Sequence, residues 1–148
     1  MTEIEMRRVL SYAIAFEGAY FTDDWSKIDP FFTDAAVYQP LGAFGGPIEG
    51  RAALKSAFKM MVNAFDRRFA SRAIEVIEGP IARDGAVWFR WEGTYTLPDA
   101  PVLQMIGEET LAFAGDRICR MEDRMSDEET QKVQTYLAVH GAKLKPAA

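Results

Sequence analysis

Apolar residues recur at helical spacing near the amino terminus, where Met6, Val9, Leu10, Ala13, Phe16 and Tyr20 form one stripe. Thr2 and Glu5 precede it at the spacing of a capping box, in which hydroxyl and carboxylate satisfy the orphan amides of a helix start. The stretch Thr22-Asp23-Asp24-Trp25 predicts a second cap and a short helix, which Pro30 ends or redirects because it has no amide donor. Residues 36–39 predict a short strand. It runs into a glycine-rich stretch, 41–47, read as a bent hairpin; no Gly-Lys-Ser/Thr follows, so it is not a phosphate loop. A third helix is predicted over 51–66, with Leu54, Phe58, Met61 and Phe65 on one face.

The remainder carries the two-residue period of strands. Asp84-Gly85 is a two-residue hairpin signal between β-like runs. Along 86–97, Val87, Phe89, Trp91, Tyr95 and Leu97 share one face, while Trp88, Arg90, Glu92, Thr94 and Thr96 share the other. Residues 103–113 alternate again, with Leu103, Met105, Glu109, Leu111 and Phe113 together. Gly115-Asp116 turns into a last strand, 118–125, and Ser126 with Glu129 caps a final helix that closes at Gly141. The order is helix-helix-strand-helix-strands-helix. It predicts one α+β domain over residues 1–148, in which a cone-shaped, curved antiparallel sheet wraps around helices. The wide end of such a cone is hard to fill with side chains, which predicts an apolar pocket for a small hydrophobic molecule.

Composition and charge narrow the function. Seven Met, ten Phe, five Tyr and three Trp fill a core, and flexible Met beside rigid aromatics also suits an adaptable pocket. The net charge is −5 and the basic residues form no cluster larger than a pair such as Arg67-Arg68, which argues against a nucleic-acid partner. The single Cys119 rules out an internal disulfide and a thiolate zinc site, and the lone His140 cannot build a histidine cluster, so no metal site is expected. Glu3, Glu5, Arg7 and Arg8 interrupt any leader-like run, and no segment approaches the roughly 20 apolar residues of a membrane span. The expectation is a cytoplasmic protein with no membrane partner.

The stretches "AYFTDDWSKIDPFFTDAAVYQP", "IEGRAALKSAF" and "LAFAGDRICRMEDRMSD" occur in the order and spacing of the nuclear transport factor 2-like superfamily. The chain resembles in particular its polyketide-cyclase-like (SnoaL-like) branch, over residues 10–126. The resemblance implies the cone fold. It leaves the chemistry open among epoxide hydrolases, dehydratases, isomerases, cyclases and non-enzymes. Similar members often dimerise through the outer sheet face, which implies a homodimer here, and Trp88 would serve that contact unless it is an isolated or covered Trp.

Three residues are candidate catalytic groups. Strand parity sets Asp123 on the face of Met121 and Met125, and the resemblance puts it where limonene-type epoxide hydrolases carry a catalytic Asp. Pairing with Arg120 or Arg124 at the rim is its structural alternative. Glu109 interrupts an apolar alternation and so should point inward, unless a register shift turns it out beside Glu108. Its position resembles the oxyanion-stabilising, protonated Asp of ketosteroid isomerases. The two residues are 14 positions apart, so they share a face only if the intervening turn has an odd number of residues; a three-residue turn with a bulge around Gly115 does this, and a two-residue Gly115-Asp116 turn does not. If they do, one should hold a proton near neutral pH, ready for general acid–base work. Tyr38 resembles a water-positioning Tyr of the epoxide hydrolases.

The expected substrate-binding residues are Tyr20, Trp25, Phe58, Met61, Trp91, Tyr95, Met105 and Met121. Tyr20 resembles a substrate-binding Tyr of scytalone dehydratases, whose next residue, an Asp, is Phe21 here. Other family sets are incomplete. The epoxide-hydrolase Arg-x-Asp has only Arg90-x-Glu92 as a counterpart, on the polar face, and alignment on the Asp84-Gly85 turn places Trp91 and Gly93 at those sites. The water-holding Asn falls on Pro40, and the isomerase base and Tyr fall on Gln39 and Ala15. The dehydratase His pair is missing, since His140 lies in the last helix. The reading is a cofactor-free enzyme using general acid–base chemistry (a lyase, isomerase or hydrolase) on a hydrophobic oxygenated substrate. The alternative is a non-catalytic, dimeric ligand-binding or interaction module.

Overall fold

The computed structural model describes residues 2–42 and 45–147, so part of the predicted 41–47 hairpin lies outside the described residues. Helix α1 (Glu3–Thr22) begins at the Thr2–Glu5 capping box, both halves of which form. A 3-10 helix, Trp25–Phe31, follows and contains Pro30 near its end. Then come β1 (Phe32–Gln39), the two-residue β2 (Ile48–Glu49) and α2 (Arg51–Ala64). The long strands β3 (Ser71–Arg83), β4 (Ala86–Thr96), β5 (Leu103–Ala114) and β6 (Arg117–Arg124) lead to α3 (Asp127–His140). All six strands form one curved, unclosed sheet in the order β2-β1-β6-β5-β4-β3. Neighbours run antiparallel except β1 and β6, which are parallel.

The two-residue period of β4 and β5 separates an apolar inner face from a charged outer one. Phe89, Trp91, Gly93 and Tyr95 sit opposite Glu109, Gly107, Met105 and Leu103 on the inner face. Arg90 opposes Glu108 on the outer face, where their side chains pair at 3.0 Å. The Asp84-Gly85 turn has the predicted two residues, both with positive φ (52° and 76°), as a primed hairpin turn requires.

Helix α2 turns Leu54, Ala57, Phe58 and Val62 inward. Helix α1 is rotated from the stripe read in the sequence: Val9, Tyr12 and Ala19 are buried, while Leu10 is 51% exposed. The cause is that α1 is apolar on two faces. Ile14 and Phe21 continue the outward set begun by Leu10, so periodicity alone does not choose between them.

Two apolar clusters result. One joins α1, α2 and the sheet around Tyr12, Phe32, Tyr38, Phe58 and Met121. The other, around Phe69, Tyr95, Leu103 and Met105, is covered by Val133 and Tyr136 of α3. Ser126 caps α3 as predicted, but the Glu129 carboxylate goes elsewhere. It accepts a 3.0 Å hydrogen bond from the amide of Ile106, where β6 has ended and leaves that edge of β5 unpaired.

Trp88 does not provide the expected outer contact surface. It is only 2% exposed, because the guanidinium of Arg83 lies 3.8 Å from its ring and that of Arg90 lies 5.3 Å away. Of the exposed apolar residues on the edge strand β3, Ile81 pairs with Trp88, whereas Ile74 and Val76 pair with Gly93 and Trp91 of the inner face.

The hairpin at Gly115 decides the geometry of the site. Its turn has two residues, since Ala114 pairs with Arg117 and Phe113 with Ile118. A regular ladder from there would set Glu109 against Glu122 and turn Asp123 outward. Instead the register shifts between Ala112 and Phe113: Ala112 pairs with Arg120, which leaves Cys119 as the extra residue of a β-bulge. The Cys119 thiol lies 3.5 Å from the Ala112 carbonyl, bridging the gap. Beyond the bulge, Leu111 opposes Met121 and Glu109 opposes Asp123.

Deleting Cys119 would leave a regular hairpin with Glu109 still opposite Asp123. That variant should fold, with a stability change inside the usual ~0.5–3 kcal/mol of single changes. Deleting Glu122 should cost more, because it turns Asp123 outward or buries an Arg. Urea denaturation of both variants checks this, and equal losses would contradict the role given to the bulge.

Candidate active site

Glu109 on β5 and Asp123 on β6 are direct cross-strand partners on the inner face. Tyr38 joins them from β1, whose parallel pairing sets it beside Met121. Its hydroxyl donates a 2.5 Å hydrogen bond to Asp123 Oδ2 and lies 3.9 Å from Met61 Sδ. The alternatives raised by the sequence do not occur. Glu108, not Glu109, faces out to Arg90, and Arg120 and Arg124 pair with Glu122 rather than with Asp123.

Burial and proximity leave the two carboxyls unequal. Burial pushes the Glu109 carboxyl well above its ordinary value, and the neighbouring Asp123 pushes it further. Burial also raises Asp123, but hydrogen bonds from Glu109 and Tyr38 pull it back down. Glu109 therefore carries the proton and Asp123 the charge. Asp123 Oδ1 meets no N–H or hydroxyl donor, and the Glu109 proton is the donor left to fill it. No Lys, Arg or His shifts either group. The pair thus holds one negative charge and one proton in an otherwise apolar setting, and both side chains keep some accessible surface.

Tyr12 is the member of the site that the sequence reading left out. It is 4% exposed on α1, and its hydroxyl donates to Met121 Sδ at 3.6 Å. Burial first, then the nearby Glu109 and Asp123, hold its hydroxyl well above the ordinary tyrosine value, so it remains a donor. The signal was present at i+3 from Val9, but the outward Leu10–Ile14 stripe masked it.

The remaining candidates fall into three groups. Met61, Trp91 and Met121 adjoin the carboxyls: Met61 contacts Tyr38, Met121 contacts Tyr12, and Trp91 lies over Gly107, two residues from Glu109. Phe58 and Trp25 are core. Phe58 stacks edge-on against Tyr38 with 4.9 Å between centroids, while Trp25 packs on Phe16 and bonds Asp23 through its indole N–H at 2.9 Å. Tyr20, Tyr95 and Met105 lie toward the opposite end of the inner face.

That end holds a second polar cluster which sequence gave no reason to suspect. Arg72, with only 4% of its side chain exposed, pairs with Glu17 at 2.7 Å and with Asp66 at 2.5 Å. Its guanidinium lies 4.2 Å from the Tyr20 ring, and the Tyr95 hydroxyl reaches Asp66 at 3.5 Å. It ties β3 to α1 and to the turn after α2. Its charge is spent on two carboxylates.

A cleft of about 460 Å³ opens where β5 and β6 part, lined by outer-face Arg90, Glu108 and Arg124 together with Gly107, Met125 and Glu129, and neither Glu109 nor Asp123 lines it. A smaller one of about 270 Å³ lies against α3, beside Leu103 and Tyr136. Among the described residues, no three His, Cys, Asp or Glu side chains gather into a metal-binding set. Among those residues, too, no helix is long and apolar enough to cross a membrane.

Comparison with known proteins agrees with this architecture. A putative SnoaL-like polyketide cyclase from Jannaschia sp. CCS1 superposes with a TM-score of 0.69 at 15% identity, over 93% of this chain and 96% of its own. An NTF2-like protein from Anabaena variabilis ATCC 29413 gives 0.67 at 16% identity, over 87% and 96%. An LEH-like epoxide hydrolase of M. tuberculosis gives 0.62 at 15% identity, over 92% and 96%. At these identities the likeness is one of fold. No curated protein sequence matches the chain. The sequence model of the SnoaL-like domain matches residues 13–123, from the middle of α1 to the site carboxylate, and the chain belongs to that family.

Proposed function

We propose that the protein is an enzyme that moves protons on a small, hydrophobic, oxygenated substrate, with Asp123 as base and Glu109 as acid. The observation that carries this reading is the cross-strand Glu109–Asp123 pair on the inner face, with the Tyr38 hydroxyl bonded to Asp123; burial raises both carboxyls, Glu109 well above its ordinary value, while hydrogen bonds hold Asp123 down, so Asp123 ionises first. An ionised carboxylate has about four acceptor sites. Tyr38 and Glu109 occupy two of those on Asp123, which leaves lone pairs for a substrate C–H. Asp123 would take that proton on a free lone pair while Glu109 releases its own proton from Asp123 Oδ1 to a departing hydroxyl, which leaves as water. The protonated Asp123 then stands beside an ionised Glu109, and transfer of its proton to Glu109 resets the site.

This sequence serves elimination; in isomerisation Glu109 would keep its proton and only hydrogen-bond the carbonyl, and Asp123 would return its proton to a second carbon, which restores both groups. The hydrolase reading is weaker, because Arg90 and Glu92 lie on the outer face and Arg90 is held by Glu78 and Glu108. If a second copy of the chain covers the outer side, exposed Ile81 of β3 supports that contact and its covered partner Trp88 does not.

Incubation of a panel of enolisable ketones in D₂O, read by proton NMR, tests the base without a known substrate. Wild type should speed α-proton exchange of at least one ketone. Asp123→Asn should lose about 100-fold or more of that rate while remaining folded, in line with general-base contributions. Unchanged exchange in the variant would sink the assignment.

The acid has a thermodynamic signature. In the unfolded chain a Glu ionises near pH 4.3, whereas folded Glu109 stays protonated. The fold therefore takes up a proton above that pH. Its advantage is complete below the unfolded value and is lost as pH rises toward the folded one, at up to about 1.4 kcal/mol per pH unit. Glu109→Gln cannot ionise, so its stability relative to wild type should improve steadily from about pH 4 upward in urea titrations. A difference that stays flat across that range would contradict a proton on Glu109.

A further inference from the structure

We propose that α3 and the strap after it, residues 126–145, form a lid that closes one end of the inner face and swings out at Met125–Ser126 to admit substrate to Glu109 and Asp123. The substrate's destination rests on the acid–base reading of that pair; the motion of α3 does not.

The three long helices cover the sheet unequally. Helix α1 buries Val9, Tyr12 and Ala19, and α2 buries Leu54, Ala57, Phe58 and Val62, whereas α3 buries none of its residues. Its inward stripe of Glu129, Val133, Tyr136 and His140 is only half-buried. Val133 and Tyr136 of that stripe lie on the apolar cluster of Phe69, Tyr95, Leu103 and Met105. Segments with few buried apolar groups open well below the free energy of global unfolding.

The bonds that fasten α3 are polar and peripheral. The Glu129 carboxylate takes the Ile106 amide at the β5 edge, and the Tyr136 hydroxyl donates to the Pro101 carbonyl at 2.8 Å. Past the helix, the Lys143 ammonium donates to the Asp99 carbonyl at 2.6 Å. Lys145 gives its amide to the Arg68 carbonyl at 2.9 Å, and its own carbonyl accepts from the Arg68 guanidinium at 2.8 Å. Water can replace each of these partners, so release costs little beyond the apolar contacts of Val133, Tyr136 and Leu144.

Position completes the case. Both surface clefts are seams along α3: Lys132, Tyr136 and Val139 wall one against Val102 and Leu103, and Ser126 and Glu129 wall the other against Ile106 and Gly107. Leu103 in the first and Met125 in the second belong to the cluster that α3 covers. From there the inner face of β5 runs through Met105 and Gly107 to Glu109, about 14 Å beyond Met105 at strand rise. Trp91 packs against this cluster and against the one that holds Tyr38 and Met121. Helix α3 lies beyond the residues matched by the family model, and two residues outside either element, Met125 and Ser126, join it to β6.

Thiol labelling tests the motion without a substrate. In a Cys119→Ala background, N-ethylmaleimide should modify Met105→Cys, beneath α3, about 100-fold or more faster than Leu111→Cys, in the cluster under α1 and α2. The first rate should stay nearly flat in urea below the unfolding transition, because it follows opening of α3. The second should climb steeply, because it follows global unfolding. Two rates that climb together would overturn the lid.

A staple tests the gating. Val102 and Thr135 are exposed and line the same seam, so Val102→Cys and Thr135→Cys can be joined by a bismaleimide with a disulfide in its linker. The staple should slow ketone α-proton exchange about 10-fold or more, and reductive cleavage of the linker should restore it. A stapled protein that exchanges at the full rate would also overturn the lid. Asp123→Asn should abolish exchange while leaving both urea profiles as they are. Absence of exchange in wild type, with a flat profile for Met105→Cys, would therefore count against the base and in favour of the moving helix.

Discussion

Two carboxyl groups face each other across β5 and β6 with no cation to neutralise them, and the site depends on their sharing a proton. Were both ionised, like charges would repel in an apolar environment, and burial would penalise each separately. A proton on Glu109 turns that repulsion into a hydrogen bond and gives Asp123 Oδ1 the donor it otherwise lacks. Tyr38 stabilises the charge that remains on Asp123, and Tyr12 adds a second hydroxyl nearby. The asymmetry is built by position: Glu109 receives no neutral donor, whereas Asp123 receives two hydrogen bonds.

The backbone delivers this arrangement through one irregularity. A two-residue turn at Gly115-Asp116 would send Asp123 to the outer face, and the bulge at Cys119 restores it. The bulge also keeps Ile118 and Met121 both buried although they are three residues apart, a spacing that a regular strand would place on opposite faces. Core packing and site geometry thus favour the same bulge. On β5 the inner face runs Met105, Gly107, Glu109, Leu111, and the missing side chain at Gly107 makes room for Trp91 next to the carboxyls.

Much of this was legible in the residues. Period-two alternation over 86–97 and 103–113 assigned the inner faces of β4 and β5 correctly, and it brought Glu109 inward because a carboxylate broke an apolar series. Parity reduced the Glu109–Asp123 question to the length of the turn, and that condition does not hold: the turn has two residues, and the bulge at Cys119 restores the shared face instead. A bulge follows from long-range packing of Ile118, Met121 and β1, so no local signal announces it. Tyr12 was missed because α1 is apolar on two faces, and Trp88 was misjudged because its cover comes from Arg83, across the Asp84-Gly85 turn, and from Arg90. The Arg72–Glu17–Asp66 cluster joins residues as far apart as 55 positions, which only the folded chain brings together. Of the expected substrate contacts, Met61, Trp91 and Met121 gather at the carboxyls, whereas Trp25 is consumed by its bond to Asp23.

The central claim is that one proton resides on the Glu109–Asp123 pair at neutral pH. Carboxyl carbon NMR of the protein, titrated with and without Glu109→Gln for assignment, measures it most directly. The account predicts a Glu109 carboxyl that is still protonated at about pH 7, far above the ordinary range near 4.3, and an Asp123 that ionises first. Two carboxyls titrating independently near their ordinary values would contradict it.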